Sequence, residues 1–295
     1  MAESVRAAAG DGLAAAARMS ANLGKRCAGT YFVATAASEL CQRLQSRVPS
    51  LSECLAALDP VTLAVADIKG AKGALMAARR QQGRGAHGSD EAAAGTVTPF
   101  WLLVDNSAIG SFTSPAIMRG ADVVIDDLSS VPGAPGGVCA LSLSRDICQD
   151  AKARAALEQA IGQLKASVAR VPDMAGYNEL CVKRNHNAQA VVADLTCHPA
   201  VGEVRYPGLV GDPAREIALH TFEHGFGPWV LFCVAGVAEA QAALQVAQEL
   251  GTGGEAQVRS ELFSAPDDKA ALRLVVGDED PLAIVMWLEA VLDPA

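Results

Sequence analysis

Two short apolar segments, each followed directly by acidic residues, constrain the fold of this chain more than any other feature. The first runs from Trp101 to Val104 and leads into Asp105, and the second runs from Ala121 to Ile125 and leads into the acidic pair 126–127. Short apolar runs of this kind are typical of strands buried on both faces of a parallel sheet. An open α/β sheet presents its site at the carboxyl ends of such strands. The two segments therefore predict an α/β fold with a site at that edge.

The same region resembles a family of enzymes. Val104-Asp105-Asn106-Ser107 and Gly120-Ala121-Asp122 resemble two motifs of the pyridoxal-phosphate enzymes of cysteine and methionine metabolism: cystathionine γ-synthase, cystathionine γ-lyase and methionine γ-lyase. In that family the first strand ends in Val-Asp-Asn-Thr and the second in Ser-Ala-Thr-Lys-Tyr. Further along, three segments resemble the family's Tyr-Pro-Gly-Leu loop, its Gly-Phe-Gly strand and its arginine-bearing strand, at 206–209, 225–227 and 272–281. The resemblance covers roughly residues 62–292.

The resemblance implies roles for particular residues, and the most important residue is missing. Residues 127–131 occupy the Ser-Ala-Thr-Lys-Tyr positions, so Ser130 stands where a lysine would hold the cofactor as a Schiff base. A serine hydroxyl can neither form that bond nor shuttle protons as an amine does. Asp127 and Ser129 stand at phosphate-binding positions, where a carboxylate would repel the phosphate. Asp105 matches the partner of the pyridine nitrogen, and Arg273 matches the arginine that binds the substrate carboxylate.

Other segments of the family's site cannot be found in this sequence. Residues 1–60 contain no Tyr-x-Arg segment, no Ser-Gly-Met phosphate loop and no Tyr-Gly-Gly-Thr stacking segment. The Ser-Leu-Gly-Gly stretch expected before the arginine strand is replaced by residues 258–269. We therefore expect no bound cofactor and no catalytic residue, with Asp105, Asp127, Ser129 and Arg273 as vestigial positions.

The resemblance also implies a fold and a domain organisation. We expect the pyridoxal-phosphate transferase fold of aspartate-aminotransferase type, with a mainly parallel sheet in a truncated large domain at 1–178 and a smaller C-terminal α/β domain at 179–295. A helix at 150–169 would link the two, and the Gly-, Ala- and charge-rich segment 81–98 is predicted to be a mobile insertion. Periodicity predicts helices at 37–44, 50–58, 67–80, 187–195, 237–250 and 281–292, and strands at 138–143, 203–206, 229–234 and 271–276.

Composition and charge indicate a folded protein and argue against some classes of binding partner. The chain has 295 residues, 51% of them hydrophobic, which is enough apolar material for a core. Its net charge of −9 argues against nucleic acid or an anionic membrane surface as the main partner. The longest apolar runs, such as 229–235, are far shorter than the roughly 20 residues that span a bilayer. With no legible signal peptide, we expect an intracellular protein, cytoplasmic rather than organellar, although a removed transit peptide is compatible with the sequence.

The cysteines and histidines give weak signals for metal sites. The eight cysteines are scattered without a CxxC pair, a pattern typical of reduced core thiols rather than of a zinc site or a disulfide framework. His220 and His224 have the i, i+4 spacing of metal ligands, with Glu223 beside them. However, Gly225 and the residues that follow would end the helix that displays them. We expect no metal.

Two functions remain open at this stage, and the sequence does not settle whether the chain is an enzyme. The favoured one is a catalytically degenerate homologue of trans-sulfuration enzymes, acting as a scaffold, regulatory or structural subunit. The alternative is a pyridoxal-phosphate-dependent C–S lyase or synthase with altered cofactor binding. We also expect a homo-oligomer or a hetero-complex with a paralogue or larger assembly, because strands 102–104 and 123–125 need cover on both faces while the N-terminal region is short.

Overall fold

The computed structural model describes residues 11–85, 99–131, 134, 136–162, 174–250, 261–264 and 270–292. The chain divides into two compact units. The first comprises residues 1–57 and 66–177, and the second comprises residues 58–65 and 178–295. The short segment 58–65 therefore belongs to the second unit although both of its flanks belong to the first.

The first unit is built on a five-stranded sheet in the order β1-β5-β4-β3-β2. Strands β2, β3 and β4 are parallel to one another, whereas β5 is antiparallel to both β4 and β1. Four of the five strands thus share one direction, and the predicted mainly parallel sheet is confirmed. The elements are α1 (Asp11–Asn22), β1 (Cys27–Ala34), α2 (Ala37–Arg47), β2 (Leu55–Ala56), α3 (Ile68–Gly85), β3 (Leu103–Asp105), α4 (Gly110–Thr113), α5 (Ala116–Arg119), β4 (Val123–Asp127), β5 (Val138–Ser144), α6 (Arg145–Gln149) and α7 (Ala151–Gly162).

Both faces of this sheet are buried in the structure. On one face, Leu103, Val123 and Ile125 share a core with the helices α2 and α7. Val104 and Val124 alternate with these residues along their strands, so they point to the opposite face, and both are fully buried as well. Uncovered strands therefore supply no reason for association, which corrects the physical argument made from the sequence.

Several segments differ from the periodicity-based prediction. The predicted helix at 50–58 is wrong, because Leu51 bridges to Trp101 and residues 55–56 form β2, which pairs with β3. Helix α3 continues to Gly85, so the first five residues of the predicted insertion 81–98 are helical, and residues 86–98 lie outside the described residues. The predicted linker helix is α7 as far as residue 162, and its remainder also lies outside them.

The second unit is an antiparallel four-stranded sheet, in the order β6-β7-β9-β8, packed with helices. Helices α8, α10 and α11 bury residues such as Val191, Ala240 and Leu288 against Phe232 and Leu272 of the sheet, which makes a second, separate core. This agrees with the predicted C-terminal α/β architecture. The elements are α8 (Tyr177–Leu195), β6 (Val201–Arg205), α9 (Arg215–Thr221), β7 (Trp229–Val234), α10 (Val237–Leu250), β8 (Glu261–Ser264), β9 (Ala270–Val275) and α11 (Pro281–Leu292).

A membrane-spanning helix is not found among the described residues, since none of their helices combines the necessary length and apolar character.

Candidate functional site

The candidate site lies at the carboxyl edge of the parallel strands β3 and β4. In their register Asp105, the last residue of β3, is paired with Ile125 of β4. The ladder continues one residue further, because the N–H of Asn106 donates to the carbonyl of Ile125 at 2.7 Å. This pairing places Asp105 beside the acidic end of β4, as the sequence predicted.

Ser107 connects two of the predicted site residues. Its N–H donates to Oδ1 of Asp105 at 3.0 Å, and its hydroxyl oxygen accepts from the N–H of Asp127 at 2.9 Å. Both aspartates are half-buried. Ser107 belongs to the motif recognised in the sequence, but no role was assigned to it there. In the structure its side chain joins the segment after β3 to the end of β4.

Ser129 and Ser130 follow β4 in a turn. The N–H of Ser129 donates to Oδ1 of Asp127 at 2.8 Å, and both serines are exposed. The turn therefore presents Ser130 to solvent just beyond the strand end, at the position where the resemblance implies a lysine. The structure brings all four residues that were matched to the family's cofactor site to one edge of the sheet: Asp105, Asp127, Ser129 and Ser130.

A lysine does contact β4, but at its opposite end. Lys72 on α3 forms an ion pair with Asp122, which directly precedes β4 and is almost completely buried. The same carboxylate accepts from the N–H of Leu102 at 2.8 Å, and Lys72 lies 5.1 Å from the ring of Trp101. Lys72 thus stabilises the amino end of the strand pair, away from the candidate site.

A buried carboxylate, Asp126, lies directly beneath the edge. Its Oδ1 accepts from Nδ2 of Asn106 at 3.0 Å, and its Oδ2 accepts from the hydroxyl of Ser111. Burial raises the pKa of Asp126 to about 6, the two hydrogen bonds oppose that rise, and the nearby charge of Asp105 adds to it. Sequence reasoning missed this network, although the alternation along β4 indicated that Asp126 and Asp127 face opposite ways.

The residues at this edge fit only part of pyridoxal phosphate. Asp105 fits a protonated ring nitrogen, since Oδ1 is occupied by Ser107 while Oδ2 has no hydrogen bond from the described part of the chain. Asp127 does not fit a phosphate, because two negative groups at hydrogen-bonding distance repel each other. Ser130 does not fit the aldehyde, because it lacks an amine. A metal is not indicated either: no cluster of three or more His, Cys, Asp or Glu suited to one occurs among the described residues.

Arg273 lies on β9 of the second unit and is buried. Its guanidinium stacks 5.0 Å above the ring of Trp229, and Nη1 donates to the carbonyl of Pro60 at 3.2 Å. Burial lowers the pKa of Arg273, while the carboxylate of Asp59 raises it. The resemblance implies that this arginine binds the substrate carboxylate. In the structure its guanidinium contacts the ring of Trp229 and the backbone carbonyl of Pro60 in segment 58–65.

The histidine pair does not form a helical metal motif. Helix α9 ends at Thr221, so His220 lies in its last turn and His224 lies beyond it. His224 has a positive φ of 58°, and its carbonyl accepts from Nδ2 of Asn185 at 2.7 Å. The i, i+4 spacing in the sequence therefore does not place the two imidazoles on one helix face.

Similarity to known proteins is consistent with the motifs at this site. No family model matches the chain. The chain is 34% identical over 143 residues to cystathionine γ-synthase of Mycobacterium leprae, across 44% of this chain and 34% of that protein. It is 26% identical over 147 residues to a probable cystathionine γ-synthase of Herpetosiphon aurantiacus, across 49% and 46% of the two chains. The matches thus span less than half the length of these relatives.

Two solved structures share the fold over almost the whole chain. An O-acetylhomoserine (thiol)-lyase of Campylobacter jejuni superposes with a TM-score of 0.67 at 15% identity, covering 96% of this chain and 85% of that one. A cystathionine γ-synthase of Xanthomonas oryzae, in complex with aminoacrylate and cysteine, superposes with a TM-score of 0.65 at 19% identity, covering 96% and 84%. At these identities the superpositions establish the fold.

The expectation that no cofactor belongs to this site is contradicted by these comparisons. The Campylobacter structure holds N'-pyridoxyl-lysine-5'-monophosphate, which is pyridoxal phosphate joined to a lysine. The comparisons therefore point to that cofactor, whereas the resemblance in the sequence implies that Ser130 stands at the position of the family's lysine. The resemblance drawn from the sequence is confirmed: this chain is a relative of the cystathionine γ-synthases and has the fold of the pyridoxal-phosphate-dependent enzymes of cysteine and methionine metabolism.

Proposed function

We propose that this protein is a catalytically degenerate relative of the trans-sulfuration enzymes that acts as a non-catalytic scaffold or regulatory subunit. The observation that carries the proposal is the exposed serine at position 130, where the chemistry of the family requires an amine. A hydroxyl group cannot form a carbon–nitrogen double bond with an aldehyde, and it cannot take up a proton as a free amine does. The chain therefore lacks the group on which C–S bond cleavage and formation depend.

Pyridoxal phosphate, in this proposal, binds at the carboxyl edge of β3 and β4 without a covalent bond to the chain. Asp105 would face the ring nitrogen, because its carboxylate is half-buried at the strand end and one of its oxygens is held by Ser107. Asp127 opposes the phosphate, so we expect weak binding that is reversed by dialysis. The cofactor supplies an electron-withdrawing ring when bound, but this chain offers no side chain that could connect that ring to a substrate amine.

Reduction with borohydride tests the covalent part of this proposal. The full-length protein is incubated with pyridoxal phosphate, reduced, and examined by intact and peptide mass spectrometry. We expect no stoichiometric pyridoxyl adduct on any lysine. Binding is measured on the unreduced protein by the change in cofactor absorbance, with Asp105→Asn expected to weaken it and Asp146→Asn, an exposed acid of the same unit, to leave it unchanged. A stoichiometric adduct would refute the proposal, and so would binding that Asp105→Asn does not weaken.

Restoring the lysine tests the degeneracy more directly. We expect Ser130→Lys to release no ketoacid from cystathionine or methionine, because catalytic groups that act together lose most of their effect when any of them is missing. Asp127 would still oppose the phosphate in that variant, so the double variant with Asp127→Ser is the matched comparison. Measurable turnover by the single variant would show that the site is intact apart from one residue.

Association with another chain is part of the proposed role. Helix α11 exposes two apolar side chains one turn apart, Leu282 and Met286, with 64% and 65% of their surfaces accessible. Apolar groups at i and i+4 share one helix face and favour contact with a partner. Light scattering is expected to show a dimer or larger species at micromolar concentration, reduced by Leu282→Glu but not by Val210→Glu, which alters an exposed valine elsewhere. A wild-type monomer would exclude the scaffold role.

An intracellular location fits the proposed role. All eight cysteines are free thiols in the structure, and thiols persist in reducing compartments. Fractionation of the source cells checks this placement, and recovery in a secreted fraction would contradict it.

A further inference from the structure

Two cysteines of the first unit, 13 residues apart in the sequence, have their sulfur atoms in contact. Cys41 is buried on α2, and Cys54 is half-buried immediately before β2. Their Sγ atoms lie 2.7 Å apart. A disulfide bond is about 2.0 Å long, so the sulfurs need to approach by less than 1 Å for a bond to form. The nearby thiol of Cys139 is differently engaged, since it donates to the carbonyl of Thr35 at 3.1 Å.

We propose that Cys41 and Cys54 are a redox pair that closes a reversible disulfide within the chain. Each sulfur is positioned by a folded element. Helix α2 places Cys41 in the core against β3, β4 and β5, together with Leu40 and Leu44. Cys54 is held by the pairing of β2 with β3, which begins at the next residue. The contact therefore belongs to the folded protein and involves no loop outside the described residues.

The oxidation balances with a low-molecular-weight disulfide such as oxidised glutathione. Cys54, the more exposed thiol, loses its proton to water and attacks one glutathione sulfur; the S–S bond of glutathione breaks and the first glutathione leaves as a thiolate that takes up a proton. Cys41 then loses its proton and attacks Sγ of Cys54, expelling the second glutathione in the same way. Two protein thiols have lost two electrons and two protons, and one oxidised glutathione has become two reduced molecules.

The environment of Cys54 slows the first step, which is the attack of its thiolate on glutathione. Its hydrogen bond to Cys41 and its burial raise the pKa of Cys54, so little thiolate is present at neutral pH. A neighbouring thiol that is already in contact favours closing the ring over accumulating the mixed disulfide. The disulfide is therefore expected to form during prolonged exposure to oxidised glutathione rather than during a brief one.

The bond would act on the candidate site through the adjacent strands. Leu55 and Ala56, the two residues after Cys54, pair with Val104 and Asp105. A disulfide at Cys54 would anchor this pairing to α2 and so restrict the strand that ends in Asp105. This inference is independent of the proposed function, because it requires neither cofactor nor partner.

Peptide mapping of the oxidised protein tests the proposal. The full-length protein is incubated with oxidised glutathione, quenched with acid, denatured and alkylated. The number of free thiols is expected to fall from the eight in the sequence to six, with a peptide linking Cys41 to Cys54 that disappears on treatment with dithiothreitol. A wild-type map without that link, or a link that joins other cysteines instead, would overturn the proposal.

Two variants supply the controls. Cys54→Ser is expected to form no intramolecular disulfide, whereas Cys197→Ser, which removes an exposed thiol, is expected to lose two of its seven thiols as the wild type does. Cys41→Ala repeats the test from the other partner and leaves Cys54 open to a glutathione adduct. Loss of two thiols in Cys54→Ser would show that other cysteines react.

Discussion

Replacing Asp126 by asparagine is expected to remove a pH-dependent loss of stability from the first unit. Asp126 is fully buried, and burial raises its pKa from the ordinary 3.8 to about 6. The folded state therefore binds this proton more tightly than the unfolded state does. Its stabilising contribution is complete below about pH 4 and is lost as the pH rises through 6, so the free energy of unfolding falls over that interval.

The magnitude follows from the size of the shift. A difference of 3.8 to about 6, at 1.36 kcal/mol per pH unit, corresponds to about 3 kcal/mol. Asparagine is neutral at every pH and keeps the acceptor that Nδ2 of Asn106 needs. The hydroxyl of Ser111 loses its acceptor, which adds a cost that does not depend on pH. The stability of Asp126→Asn relative to the wild type should therefore improve by about 3 kcal/mol between pH 4 and pH 7.

Urea unfolding at a series of pH values measures this difference. The chain has three tryptophans, at 101, 229 and 287. A background carrying Trp229→Phe and Trp287→Phe leaves Trp101 as the single reporter, and Trp101 belongs to the core of the first unit. Carboxyl groups that are not coupled to Asp126 contribute equally in both proteins and cancel in the comparison. Asp127→Asn is the matched control. The side chain of Asp127 is only half-buried, so this variant should not reproduce the pH-dependent gain in stability.

The reasoning is refuted if Asp126→Asn and the wild type give parallel pH profiles. A constant difference would mean that the buried carboxyl releases its proton as easily in the folded chain as in the unfolded one. The same result from Asp127→Asn as from Asp126→Asn would assign the pH dependence to the charge of the whole edge.

Three further substitutions probe the scaffold around the two sheets. Lys72→Met should lower the free energy of unfolding by about 3–5 kcal/mol at pH 7, because it leaves the buried carboxylate of Asp122 without its counter-charge; a loss under 1 kcal/mol in urea titrations would contradict this. Asp212→Ala should cost about 3 kcal/mol, because Nε of Arg205 and the N–H groups of residues 206 and 214 lose their acceptor, and an unchanged melting temperature would argue against it. Gly120→Ala should cost about 1–3 kcal/mol, since φ is +117° and the added Cβ would lie 3.2 Å from Cβ of Lys72; thermal unfolding at wild-type temperature would show that the backbone adapts.

Much of the second unit could be predicted from local sequence. Strand β7 (229–234) and helices α10 (237–250) and α11 (281–292) have the bounds expected from their periodicity. These segments carry a clear apolar pattern. Gly236 directly precedes α10, and Pro281 is the first residue of α11. Local pattern and tertiary packing agree there, so the prediction needed no knowledge of distant contacts.

The region before residue 60 shows where local pattern fails. Leu51, Cys54, Leu55 and Leu58 are spaced like one face of a helix, yet residues 55–56 form a strand. The pairing with β3 joins residues about fifty positions apart, and a short segment adopts whichever conformation that pairing demands. Strand β1 was missed for the same reason, since its position is set by β5, more than one hundred residues later.

The sequence by itself determined that a serine stands where the resemblance implies a lysine, and it predicted the edge where the acidic residues meet. The identity of residue 130 can be read directly from the sequence, and acidic residues that end parallel strands lie at the same edge of the sheet. Only the tertiary structure decided that Asp126 is buried with a raised pKa and that Cys41 contacts Cys54. It also decided that Lys72 pairs with Asp122 at the amino end of β4, away from the candidate site. Those properties depend on how distant segments pack, because burial, desolvation and sulfur contact arise from neighbours in space that the order of residues does not reveal.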